Sequence, residues 1–103
     1  MAYKVIVTEN AAQQVENILD YIIYRLHNEK AAIEILNEIE ATYKSLEYLA
    51  DSMAFCYDSY LRAKGYRKIS LRNYDYVLLY QIVEDRVYIN GIFHMLENYR
   101  DKL

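Results

Sequence analysis

Five cations, Arg62, Lys64, Arg67, Lys68 and Arg72, fall between Tyr60 and Tyr74 with no acidic residue among them. Lys and Arg hold phosphates and carboxylates, Arg with a fork of parallel N–H donors. His94, further along the same half, has the one side chain that ordinarily exchanges a proton near neutral pH. The cluster stands against an acidic background: residues 1–59 carry 4 Lys/Arg and 10 Asp/Glu, residues 60–103 carry 8 and 5, and the formal net charge is −3. Phosphate neutralisation dominates nucleic-acid affinity, so any such binding has to come from the local basic stretch. The plainer alternative is a solvated sheet edge.

The apolar spacing says what must carry these residues. Tyr3 to Val7 is short, β-branched and bounded by Thr8, and reads as a strand. From Asn10, the residues Ala11, Val15, Ile18, Leu19, Ile22, Ile23 and Leu26 make a helical stripe, with Asn10 and Gln13 as a start resembling a capping box. Glu16, Asn17, Asp20 and Tyr24 take the other side. His27-Asn28 breaks the pattern, and a second stripe runs through Ala32, Ile35, Leu36, Ile39, Tyr43, Leu46 and Leu49 with Asn28 as its cap. Two helices so close together fold back as a hairpin. Residues 50–64 show no clear period and are expected to hold a short helical turn or an extended edge.

Tyr66 to Arg72, Tyr76 to Val83 and Val87 to Phe93 are rich in Tyr, Val, Leu and Ile, and Asn73-Tyr74-Asp75 and Glu84-Asp85-Arg86 between them have turn chemistry. They predict an antiparallel three-strand meander. Alternation buries Ile69 and Leu71 toward the helices and puts Tyr66, Lys68, Ser70 and Arg72 on the other face. In the last strand it sets Val87, Ile89 and Phe93 against Tyr88, Asn90, Ile92 and His94, with Gly91 marking a bulge or the close approach of other groups. A face that gathers Lys68, Arg72, Asn90 and His94 is polar where a packing layer would be apolar, and is expected to meet a ligand. With the first strand returned beside the meander, the predicted fold is α+β: an N-terminal strand, a two-helix hairpin and a three-strand meander forming one sheet.

At 103 residues one domain, residues 1–103, is expected, and 54% hydrophobic with 26% charged residues is an ordinary soluble composition. Thirteen tyrosines are the one excess; each buries a large ring while keeping a hydroxyl for a partner. The lone Cys56 excludes an internal disulfide and a metal site of several thiolates, and fits a reducing cytoplasm. His27, His94 and Cys56 lack metal-ligand spacing, and no cofactor is expected. The first residues hold only a three-residue apolar run before Thr8, so neither export nor membrane association is expected.

The order of elements, together with Ala12 to Tyr21, Ala31-Ala32, Gly65-Tyr66-Arg67-Lys68-Ile69, Asn73-Tyr74, Tyr76-Val77-Leu78-Leu79-Tyr80 and Val87 through Ile92-Phe93-His94, resembles the RelE/ParE superfamily of bacterial type II toxin-antitoxin modules over essentially the whole chain. The resemblance implies a small cytoplasmic toxin held inactive in a heteromeric complex by a cognate antitoxin, for which the basic stretch is an alternative partner surface. It implies one of two activities. RelE-like members cut mRNA in the ribosomal A site; ParE-like members inhibit DNA gyrase and are not hydrolases. For the endonuclease, the first expectation, a base must take the 2′-hydroxyl proton, cations hold the phosphate, and an acid protonates the leaving oxygen. Lys64 or Lys68 would be the base if neighbouring cations depress its pKa. Arg67 and Arg72 would clamp the phosphate, and His94 would be the acid. Lys64 and Arg62 would also hold the strand, with Tyr74, Tyr76 and Tyr99 stacking on bases. One departure counts against cleavage: the arginine typical of active relatives aligns with Val77. The alternatives are gyrase inhibition without nuclease activity, or a relic that binds antitoxin and has lost toxicity.

Overall fold

A computed structural model describes residues 2–103. In chain order it holds β1 (Lys4–Val7), α1 (Glu9–Asp20), α2 (Glu29–Leu49), α3 (Ser59–Ala63), β2 (Arg67–Ser70), β3 (Tyr76–Val83) and β4 (Arg86–His94). A π-helical turn, Tyr21–Arg25, extends α1, and 3₁₀ turns occupy Ala50–Ser52 and Tyr99–Lys102. Thr8, rather than Asn10, caps α1: its hydroxyl accepts the Ala11 N–H at 3.2 Å and donates to the Ile89 carbonyl at 2.8 Å. One side chain thus fixes the helix start to the sheet. Gln13 bonds forward to Asn17 instead of back to a cap. Asn28 caps α2 as expected, accepting from the Ala31 N–H at 3.1 Å, and His27, at φ 50, turns the hairpin.

The strand order is β1-β4-β3-β2, antiparallel within the meander and parallel between β1 and β4. A parallel neighbour needs a long crossover, which the helical hairpin supplies. The unpatterned stretch contains both expected forms: an extended bridge of Phe55 to Arg67, then the short helix α3.

Two apolar cores flank the sheet. On the helix side Leu78, Tyr80, Val87, Ile89, Ile92 and Leu71 pack with Ala11, Ile22, Ile35, Ile39 and Leu46. On the other side Val77, Leu79, Phe93 and Tyr66 pack with Leu61 of α3, with Cys56, and with Tyr99 and Leu103. The face expected to lie open is therefore covered at its centre. A bulge also corrects the predicted division of β4. Leu79 faces Gly91 while the next residue, Tyr80, faces Ile89, so Asn90 has no partner and the alternation shifts phase there. Ile92 and His94 consequently share the helix side with Val87 and Ile89, and Phe93 goes to the other face.

Gly91 serves the close approach anticipated for it. A Cβ on it would lie 2.5 Å from the ring of Phe93 and 3.0 Å from Oε1 of Gln14, which accepts the Ile92 N–H. Because the Phe93 ring is buried, Gly91→Ala is expected to cost about 1–3 kcal/mol, seen as a lower urea midpoint with an unchanged slope. Burial pushes Tyr43 and Tyr80 from 10.0 up to about 12, Tyr43 with the help of Glu40 and Tyr80 against the opposing charge of Arg67. The unfolded chain releases these protons near 10 while the folded chain keeps them, so their stabilisation is complete below pH 10 and drains away as pH rises toward 12. Alkaline titration should show two late-ionising tyrosines and a melting temperature that falls through that window.

Candidate functional site

The strand register decides which of the expected site residues can meet. Lys68 pairs with Leu79 and His94 pairs with Tyr76. Residues 76 and 79 lie three apart on one strand and so project to opposite faces, about 10 Å apart along it. Lys68 stands on the side of the second core, and His94 stands on the helix side. No single phosphate contacts both. Arg72 lies past the end of β2, lining a groove with Glu38, Thr42, Ser45 and Ser70 on the α2 side, away from Lys68. Arg67 points to the helix side of the sheet edge, where it donates to the Met53 carbonyl at 2.5 Å and stacks over Phe55 at 3.9 Å. A guanidinium held by a backbone carbonyl and a ring has spent donors that a phosphate clamp would need.

The remaining roles shift for equally local reasons. Lys64 is raised above its ordinary value, first by its hydrogen bond with Tyr60, the opposite of what a general base requires. His94 is half-buried; its Nδ1 accepts the Leu96 N–H at 3.2 Å, so in the neutral ring Nε2 carries the hydrogen. Its ring meets Tyr76 edge-on at 5.6 Å, and its backbone N–H goes to Glu97 at 2.9 Å. Tyr74 is pinned to α2 by a 2.6 Å hydrogen bond to Glu34, and Tyr99 stacks on Phe93 at 5.6 Å. Tyr74, Tyr76 and Tyr99 are thus engaged within the fold. Asn90 donates to Gln81, which in turn donates to the Lys64 carbonyl, so it braces the sheet against α3 rather than facing a ligand. Val77 is 3% exposed, inside the second core.

Two surfaces are what the structure offers instead. On the helical hairpin Tyr21, Tyr24, Leu26 and Ile33 are more than half exposed, beside an apolar groove lined by Leu19, Ile23, Ala32, Ile33 and Leu36 with Glu29 at its rim. Around α3, Arg62, Lys64 and Lys68 are exposed, and Tyr60 lies between Lys64, 4.7 Å from its centroid, and Arg100, at 5.0 Å. The hairpin surface had a trace in the sequence, since Ile33 and Tyr24 fall off the helical stripes. Among the described residues there is no group of three or more His, Cys, Asp or Glu able to hold a metal ion, and no helix is long and apolar enough to cross a membrane.

Residues 5–99 match the model of a family described as the ParE toxin of type II toxin-antitoxin systems, parDE. The fold is similar to that in the chromosomal ParDE system from P. aeruginosa, with TM-score 0.75, 18% identity, and coverage of 90% of this chain and 96% of that one. It is also similar to a chain of the RelBE2 toxin-antitoxin complex from Mycobacterium tuberculosis, with TM-score 0.58, 20% identity, and coverage of 91% and 99%. No curated protein matches the sequence.

The burial of Val77 yields a direct test. Restoring an arginine there by Val77→Arg places an unpaired cation in an apolar core and is expected to destabilise the fold by about 3–5 kcal/mol in urea melts, without producing RNA cleavage. Retained stability together with new cleavage would show that this position opens onto a working site.

Proposed function

The chain belongs to the ParE toxin family of type II toxin-antitoxin systems, and from that premise we propose that it arrests growth by binding a protein target, DNA gyrase, rather than by cutting mRNA. The observation that carries this reading is the separation of Lys68 from His94 onto opposite faces of the sheet. RNA cleavage needs base, phosphate clamp and acid around one phosphate, and reacting groups misplaced by even an ångström lose much of their effect. A binding toxin needs none of this. It needs a rigid surface with apolar and aromatic anchors, which the exposed Tyr21, Tyr24, Leu26 and Ile33 supply.

The partner that restrains it is the cognate antitoxin. We place an apolar antitoxin segment in the hairpin groove beside Ile33, where burial of the Leu19, Ile23 and Leu36 side chains favours association. Capping of α2 by Asn28 and the hydrogen bonds from Asn73 and Tyr74 to Glu38 and Glu34 hold that groove on a fixed frame.

Expression in cells, followed by primer extension on mRNA and a supercoiling assay with purified gyrase, checks the proposal. Growth arrest, intact transcripts and lost supercoiling are expected, unchanged by His94→Ala. Co-expression of a cognate antitoxin should restore growth, and Ile33→Glu should weaken that rescue. New 5′ ends within codons, abolished by Arg72→Ala or His94→Ala, would return the chain to the mRNA endonucleases. Unimpaired growth would make it an antitoxin-binding relic.

A further inference from the structure

From Ser52 to Tyr74 the sequence contains one acidic residue, Asp58, against Arg62, Lys64, Arg67, Lys68 and Arg72. Among the described residues the only ion pairs are Arg100–Asp58 and Lys102–Glu97. All five cations therefore lack a carboxylate partner. Asp58 is itself committed, since its carboxylate caps α3 through the Tyr60 and Leu61 N–H groups and holds Arg100 at 3.6 Å. Of the five, Arg62, Lys64 and Lys68 are the ones on the α3 side, and no carboxylate pairs with them there. Residues 1–59 carry the excess of acid, so an anion is repelled from the hairpin and drawn to this side.

One aromatic ring stands among these cations, and another is exposed two residues before α3. Tyr57 is 90% exposed, and Tyr60, 42% exposed, is packed between the Lys64 ammonium and the Arg100 guanidinium. Lys68 belongs to the same side of the sheet, close enough to the buried Cys56 thiol to oppose the rise that burial gives it. An acidic peptide would use the charges alone. A ring left in water beside cations has a further use, because unpaired bases stack on tyrosine faces and arginine planes while phosphates meet the charges. Duplex DNA hides its base faces and does not exploit the rings.

We propose that the α3 surface, Tyr57, Tyr60, Arg62, Lys64, Lys68 and Arg100, is a binding site for single-stranded nucleic acid. It stands apart from the apolar hairpin surface assigned above to protein partners, and it makes no claim of cleavage. A toxin that docks on a nucleic-acid-handling enzyme through one surface gains a second attachment by touching the exposed strand through the other, and linked contacts multiply affinity.

Fluorescence anisotropy of the full chain with labelled single-stranded DNA and RNA oligonucleotides of one sequence tests this. Binding at low salt is expected, with a log–log salt slope of roughly −0.7 for each phosphate contact. Tyr57→Ala should weaken it about 5-fold or more, and the double change Arg62→Glu with Lys64→Glu should remove it. Lys44→Glu, on exposed α2, should leave it unchanged. A preference between the two oligonucleotides identifies the physiological strand. The proposal falls if neither oligonucleotide binds, if the α3 variants bind like the parent, or if duplex DNA or polyglutamate binds as well as the single strands. Gyrase inhibition that persists while oligonucleotide binding is absent would overturn this site alone. Oligonucleotide binding with no effect on gyrase would leave this site standing and remove the gyrase target.

Discussion

Four consecutive residues of β3, Val77 to Tyr80, are buried, so the central strand needs apolar cover on both faces. A strand whose alternate side chains point to opposite faces cannot bury all four residues against one layer. The helical hairpin covers Leu78 and Tyr80, and the segment from Phe55 through α3 together with the Tyr99 turn covers Val77 and Leu79. Gly91 is part of the same requirement, because only the absence of a side chain there lets the Phe93 ring lie in the second core.

This double cover governs where chemistry can occur. With the sheet centre closed, polar groups are displaced to its margins: Arg67 to the β2 edge, Arg72 to the loop over α2, His94 to the end of β4, and Lys64 and Arg62 to α3. Arg67, Lys64 and His94 then find partners of their own, and the set that looked contiguous in sequence disperses. Dispersed cations make a poor reaction centre and a serviceable electrostatic surface, since long-range attraction needs only shared sign whereas catalysis needs convergent geometry. One group of exposed apolar side chains, Tyr21, Tyr24, Leu26 and Ile33, lies on the hairpin.

The secondary structure was largely legible. Helical stripes gave the hairpin, Asn28 gave its second cap, and the turn residues around Asp75 and Asp85 gave the meander. Thr8 was missed as a cap because its second function, a hydrogen bond to Ile89, joins residues that are remote in sequence. The covered second face had a signal that alternation in β2 and β4 outweighed: the unbroken apolar run Val77-Leu78-Leu79-Tyr80, the mark of a strand buried on both sides. The bulge at Asn90 had only Gly91 beside it as a hint, and a one-residue shift sends every later side chain to the other face.

What the sequence determined by itself was local: which segments form helices and strands, where they turn, and that positive charge gathers in one stretch, because periodicity, capping and charge are properties of neighbours along the chain. Tertiary structure decided which of those residues share a face. His94 and Lys68 were separated by a register and a bulge that depend on pairing between strands, and Val77 was enclosed by a turn more than twenty residues away in sequence. Such pairings are selected by the free energy of burying side chains together, which no stretch of the chain read alone contains.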